Sequence, residues 1–194
     1  MSDTIEMMMS TDRRARRTRT ALMDAFNQLA LSHRKNIRVA DIVALADVGR
    51  STFYEHFKSA EDIHLQAMQR PFGLLADAAA GLGDEARMTG QLEHFWENRQ
   101  LGRTSLMGRM HDKATRLLAA MIEERLRAEE ERLAIPLRLA SLQLAEAALA
   151  PIRFWVTGEV PCAADTLARA ICASGRALRA ALTNHASDGQ ATAA

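Results

Sequence analysis

Arg50, Ser51, Thr52, Tyr54 and His56 crowd five hydrogen-bonding side chains into seven residues, and Lys58 follows two places later. That mixture suits a polyanion: guanidinium and hydroxyl groups reach base edges or phosphates, while a phenol and an imidazole donate to phosphate oxygens beside a groove. Tyr54 is the sole tyrosine of 194 residues, and it stands between Phe53 and Phe57 in a chain that is only 5% aromatic, so its position calls for a reason. Competing chemistries have little support. There is no Gly-x-Ser-x-Gly, His-x-x-x-His or Walker loop, and the chain is expected not to be an enzyme. The "GLG" at 81–83 follows no strand and reads as a turn. Cys162 and Cys172 are too few for a disulfide framework or a closed zinc site; both read as buried free thiols, and no metal or cofactor is expected.

Three short helices would position these groups. Leu22, Ala25, Phe26 and Leu29 recur at i, i+3, i+4 and i+7 within Thr18 to Leu31, the stripe of an amphipathic helix. Val39, Ile42, Val43 and Ala46 repeat that spacing over two turns and end at Asp47, a residue type that tolerates the left-handed conformation of a tight turn. Gly49 is a permissive N-cap for a third helix from about Arg50 to Phe57. At 100° per residue Phe53 and Phe57 share one face, with Ser51, Thr52 and Glu55 opposite. The two rings then anchor a very short helix, and loss of either would cost about 3–5 kcal/mol. A rigid two-turn helix after a tight turn, with Arg50, Ser51 and Thr52 at its start, is the geometry by which helix-turn-helix proteins enter the DNA major groove. Tyr54 and His56 fall on its flanks, within reach of phosphates.

Charge agrees with this division. Residues 13–58 hold ten Lys/Arg against four acids, a net of +6, in a chain whose overall formal charge is +1. A basic N-terminal segment before a near-neutral body suits a nucleic-acid module joined to a different domain.

Residues 37–57, "IRVADIVALADVGRSTFYEHF", closely resemble the helix-turn-helix of the TetR family of bacterial transcription regulators. The most specific part is "STFYEHF" after "ADVGR" and before "KSAEDI". The resemblance implies that Arg50, Ser51 and Thr52 face bases or nearby phosphates, that Tyr54 and His56 grip phosphate, and that Lys58 adds a backbone contact. The chain departs from the family pattern in four places. Asp47 stands for the usual turn Gly, Gly49 for the usual Ser, Arg38 for the usual Thr opening the second helix, and Ala60 for the usual Lys opening the fourth. Arg38 and Lys58 offer longer side chains in place of the two missing phosphate contacts. For the arm Arg13, Arg14, Arg16, Arg17 and Arg19, a DNA contact and a solvated tail both remain open.

The expected fold is all-α with about nine helices: a disordered tail at 1–12, a helix-turn-helix domain at 13–58, a ligand-binding and dimerisation domain at 59–185, and a disordered tail at 186–194. Ser59 with Asp62 reads as a capping box opening a fourth helix to about Ala80, with Pro71 inside it. Further helices are expected at about Glu85–Asn98, Thr104–Met110, Asp112–Leu133, Pro136–Thr157 and Cys162–Asn184. Glu123, Glu124, Glu129, Glu130 and Glu131 alternate with arginines and read as a solvated face. No apolar run approaches the roughly 20 residues of a membrane span, which points to a cytoplasmic protein.

In the last two helices Phe154, Trp155, Leu167, Ala170, Ile171, Ser174 and Leu178 form apolar and small-residue surface suited either to a four-helix interface with a second copy or to an intramolecular hairpin. The resemblance implies the first, a homodimer on a palindromic double-stranded operator. It also implies a small-molecule effector, expected to be largely apolar, for which Met68, Phe72, Phe95, Trp96, Met107, Met110 and His111 are the wall candidates. The function these features imply is an effector-responsive repressor; the alternative is a non-sequence-specific architectural DNA-binding protein without an effector.

Overall fold

A computed structural model describes residues 2–32, 37–129 and 132–183, with side chains for all of these except 2–12 and 104. Among the described residues the regular structure is helical: α1 (Ser2–Leu31), α2 (Val39–Leu45), α3 (Arg50–His56), α4 (Ala60–Ala79), α5 (Glu85–Glu97), α6 (Arg99–Leu106), α7 (Arg109–Ala128), α8 (Leu137–Val156) and α9 (Ala164–Leu182). An isolated antiparallel bridge joins Leu133 to Thr183. The chain has the all-α fold expected of it, and none of these helices is long and apolar enough to cross a membrane. The expected tail at 186–194, together with Glu130, Glu131 and Asn184, lies outside the described residues.

The chain forms two compact units, Met1–Ala67 and Met68–Ala194. In the first, the apolar stripe of α1 (Leu22, Ala25, Phe26 and Leu29) is buried, as are Ile42 and Val43 of α2, Phe53 and Phe57 of α3, and Ile63 of α4. Disorder was expected over 1–12, whereas α1 begins at Ser2. The segment between Ser2 and Thr18 contains neither Gly nor Pro and is rich in Met and Arg, so nothing local stops the helix. The cap of α4 is half of the box expected. The N–H of Asp62 donates to Ser59 Oγ at 3.1 Å, but the Asp62 carboxylate accepts from the N–H of Lys58 at 2.8 Å.

In the second unit, Ala114, Leu118, Ala119 and Ile122 of α7 and Ala140, Leu144, Ala145, Ala148, Leu149 and Ile152 of α8 form a core of small and branched residues between two closely packed helices. α9 packs on α5 and α8, burying Leu167, Ala168, Ile171, Cys172 and Gly175. Arg125 of α7 fastens the second half of α4: its Nε donates to Asp77 Oδ1 at 2.5 Å and its Nη2 to the carbonyl of Gly73 at 3.0 Å. Arg179 of α9 donates to the carbonyl of Ala80 at 2.8 Å, satisfying a group at the end of α4 that has no helical partner.

α5, α7, α8 and α9 match their expected segments to within a few residues, although α7 ends at Ala128 instead of Leu133. α6 lies upstream of its expected place at Thr104–Met110. Asn98 both closes α5 and opens α6, so the two helices abut without a loop. The break falls instead at Gly108, whose φ of 57° lies in the left-handed region that glycine enters without penalty.

Candidate nucleic-acid interface

The turn between α2 and α3 is built by three residues. Asp47 has φ 53°, the left-handed conformation, and the N–H of Val48 closes the turn on the carbonyl of Val43 at 3.1 Å. Gly49 is extended at the N-cap, where its carbonyl accepts from the N–H of Phe53 at 3.1 Å. α3 then runs for two turns, too short to persist without tertiary anchorage. Phe53 and Phe57 supply that anchorage. Their relative exposures are 0% and 2%, and their ring centroids lie 5.6 Å apart.

The outward side of α3 differs in kind. Arg50 and Ser51 are exposed, Thr52 is half-buried, and Tyr54 is 59% exposed with its ring edge-on to Phe53 at 5.4 Å. The phenol is therefore presented to solvent from a ring braced by the core. His56 is half-buried and Lys58 is exposed. Arg38, at the start of α2, is paired locally: Asp41 Oδ2 accepts from its N–H at 3.1 Å and from its Nε at 3.3 Å. Because the Arg38 side chain is 73% exposed, its guanidinium remains open to a phosphate.

Sequence reasoning treated Arg19 as one of five equivalent arm residues, and the structure separates it from the rest. Its guanidinium lies 4.7 Å from the Phe57 ring centroid, donates to the carbonyl of His56 at 3.2 Å and bonds Gln66 Oε1. Arg19, itself exposed, thus fastens α1 to the end of α3 and to α4; Arg13, Arg14, Arg16 and Arg17 are exposed along α1 as well. Beside this clamp His64 packs on Phe26, with ring centroids 5.3 Å apart. Burial pushes its pKa below the ordinary histidine value, against the opposing pull of Glu61.

The effector candidates differ in exposure. Met68 and Phe72 are buried on α4, Phe95, Met110 and His111 are half-buried, and Trp96 and Met107 are 38% and 45% exposed. His111 joins a polar cluster: its Nε2 lies 3.3 Å from Glu146 Oε1 and 3.4 Å from Arg153 Nη1, and Thr115 Oγ1 donates to the same Glu146 oxygen at 2.9 Å. Trp96 lines an open cleft of about 340 Å³ with Glu93, Glu97, Trp155, Cys162 and Ala164. Cys162, expected to be buried, is exposed there, because it sits in the turn before α9; Cys172 is buried as expected.

The dimer candidates divide. Trp155, Leu167 and Ile171 are buried within the chain itself, and Trp155 Nε1 donates to the carbonyl of Cys162 at 2.8 Å. Leu178 is half-buried, whereas Phe154 is 41% exposed and Ala170 and Ser174 are exposed. Ala173, Ala177 and Ala181 extend that exposed face of α9, and Leu139 stands 54% exposed on α8. Three of the seven, Trp155, Leu167 and Ile171, are thus taken by the chain's own core.

No family model and no curated protein matches the sequence. Solved structures do. A TetR transcriptional regulator from Streptococcus agalactiae 2603V is 25% identical, with a TM-score of 0.53 over 85% of this chain and 97% of that one. The dihydroxyacetone kinase operon activator DhaS is 17% identical, with a TM-score of 0.52 over 86% of this chain and 98% of that one. The TetR family repressor AlkX from Dietzia sp. strain DQ12-45-1b is 18% identical, with a TM-score of 0.52 over 84% and 98%. The last two show the fold alone; the first combines it with identity along nearly its whole length. With the helix-turn-helix signature of residues 37–57 seated in that fold, the chain is similar in sequence motif and in structure to TetR transcriptional regulators.

Proposed function

We propose that the chain is a cytoplasmic repressor that binds a palindromic operator as a homodimer and leaves it when a small molecule binds the second unit. The observation that carries this is the division of labour on α3. Phe53 and Phe57 are spent on the core, while Arg50, Ser51, Thr52 and Tyr54, on one short helix, have no core to serve. Arg50 and Thr52 read base edges, and Tyr54, His56, Lys58 and Arg38 hold phosphates, setting the register of the helix in the groove. The exposed faces of α8 and α9, with Leu139, Phe154, Ala170 and Ser174, pair with a second copy. Such a pair sets two recognition helices about 34–36 Å apart, one turn of DNA. The effector site belongs to the Met68–Ala194 unit, where Met68, Phe72, Phe95, Trp96, Met107, Met110 and His111 remain its wall candidates.

Selection of bound duplexes from a random DNA library at about 0.15 M salt tests the reading. The expected result is one enriched palindrome. Arg50→Ala and Thr52→Ala should then lose discrimination at particular positions, by about 1–3 kcal/mol each, while Lys58→Ala weakens all sequences alike. Salt-sensitive binding with no enriched sequence would overturn the operator reading in favour of an architectural role.

A further inference from the structure

The cleft lined by Glu93, Trp96, Glu97, Trp155, Cys162 and Ala164 has a composition of its own. Its volume of about 340 Å³ falls at the small-molecule end of ligand sites, which span about 300–1,000 Å³. Trp96 provides an aromatic wall backed by the largely buried Trp155, with ring centroids 4.9 Å apart and planes tilted by 36°. The bond from Trp155 Nε1 to the carbonyl of Cys162 fixes one indole, and the other is 38% exposed. Two carboxylates stand beside these rings. Glu93 and Glu97 lie one turn apart on α5, both exposed, and among the described residues neither has a basic partner within 4 Å. Like charges at i and i+4 repel, so the pair gains from any cation placed between them. Electron-rich ring faces attract cations as well, and the Arg99 guanidinium already rests 5.1 Å from the Trp96 centroid.

We propose that this cleft is a binding site for a small organic cation, an amine or quaternary ammonium whose charge is met by Glu93 and Glu97 and whose apolar body lies against Trp96, which the buried Trp155 backs. The two chemistries are complementary in a way that neither a fatty ligand nor an anion satisfies. An apolar ligand would leave the carboxylates repelling one another, and an anion would add a third negative charge. The cleft also stays clear of the face proposed for dimerisation. Ala164 lies on the side of α9 that carries the buried Ala168, Ile171 and Gly175, about 110° around the helix from the exposed Ala170, Ser174, Ala177 and Ala181. This inference stands independently of DNA recognition, because its readout is binding alone.

Trp96 and Trp155 are the two tryptophans of the protein, so intrinsic indole fluorescence reports on the cleft. The full-length protein is titrated with phenyltrimethylammonium and, separately, with its uncharged isostere tert-butylbenzene. The expected result is a saturable change with the cation, and at least tenfold weaker binding of the isostere. Glu93→Gln with Glu97→Gln should weaken the cation at least tenfold while leaving the far-ultraviolet circular dichroism unchanged. Trp96→Leu, which keeps Trp155 as reporter, should weaken both the cation and the isostere. No saturable change with the cation up to 10-millimolar order, equal binding of cation and isostere, or equal cation binding by the double Gln variant would each overturn the proposal. Operator selection is unaffected by any of these outcomes, so failure here leaves the DNA reading standing, and failure there leaves this one.

Discussion

A Cβ added at Gly175 would fall well inside van der Waals contact with the carbonyl oxygen of Ala78, 3.0 Å from the carbonyl carbon of that residue and 3.1 Å from the carbonyl oxygen of Ala79. All three are backbone atoms of α4, so no side-chain rotation relieves the clash and α9 must back away from the helix it packs on. Two contributions then oppose each other. Gly to Ala within a helix gains about 0.5–1 kcal/mol from the chain entropy that glycine would otherwise lose. Forcing extra atoms into a packed contact costs about 1–3 kcal/mol, and a backbone obstacle argues for the upper end. Gly175→Ala should therefore lower stability by about 2 kcal/mol net. Gly90→Ala is the matched control, since Gly90 is exposed in α5 and its added Cβ meets nothing within 4 Å; it should raise stability by about 0.5–1 kcal/mol. Urea unfolding followed by tryptophan fluorescence reads both, because both tryptophans lie within Met68–Ala194. In thermal unfolding each kcal/mol corresponds to about 2–4 °C for a chain of this size. If the two variants differ by less than about 0.5 kcal/mol, α9 does not approach α4 as closely as described and the packing argument fails.

Two further outcomes follow from the titratable groups. His64 has its pKa lowered by burial, so its unfolded form takes up a proton more readily than its folded form. Its contribution is thus fully present above the unfolded value near 6.5 and is lost as pH falls below it toward the folded value; thermal melts at pH 8 and pH 5.5 should show a smaller acid loss in His64→Gln than in the parent chain. Burial, reinforced by Glu85, raises the pKa of the Cys172 thiol, whereas Cys162 is exposed. Maleimide labelling at pH 7.5, read by mass spectrometry, should modify Cys162 in the native protein and reach Cys172 only in denaturant. Native labelling of both at equal rates would contradict the burial of Cys172.

The first unit was legible because local signals in it agree with one another. Helical spacing picked out Leu22, Phe26, Ile42, Phe53 and Phe57, and each is buried. A residue type suited to left-handed backbone marked Asp47, which has that conformation. The second unit was legible in its long helices and opaque at their junctions. The end of α5 at Asn98 was read correctly, but the immediate start of α6 was not, since Asn98 caps both helices and no Pro or Gly intervenes; the break before α7 falls at Gly108, one of several glycines. The α8–α9 surface was ambiguous for a different reason, its apolar residues suiting either a second copy or an intramolecular hairpin. Hydrophobic size predicts burial but not what covers it, and Trp155, Leu167 and Ile171 go to the chain's own core. Arg19 carried no sign of its separate role, because its partners His56 and Gln66 are distant in sequence. The cleft beside Trp96 and Trp155 was invisible too, since these residues, 59 apart in sequence, meet only through the tertiary fold.

The exposed face of α9 carries Ala170, Ala173, Ser174, Ala177 and Ala181, side chains with almost no rotational freedom to surrender. Covering a lysine or glutamine costs up to about 1.5–2 kcal/mol per side chain in lost rotamer freedom, whereas alanine forfeits none. A helix laid along this face thus associates with little loss of side-chain entropy. The area gained per residue is small, and close backbone approach must supply dispersion in its place. Association through such a face is sensitive to shape more than to composition. Alanine to serine should be tolerated there, while a single leucine at Ala173 or Ala177 would hold the partner at a distance and forfeit the contacts of its neighbours.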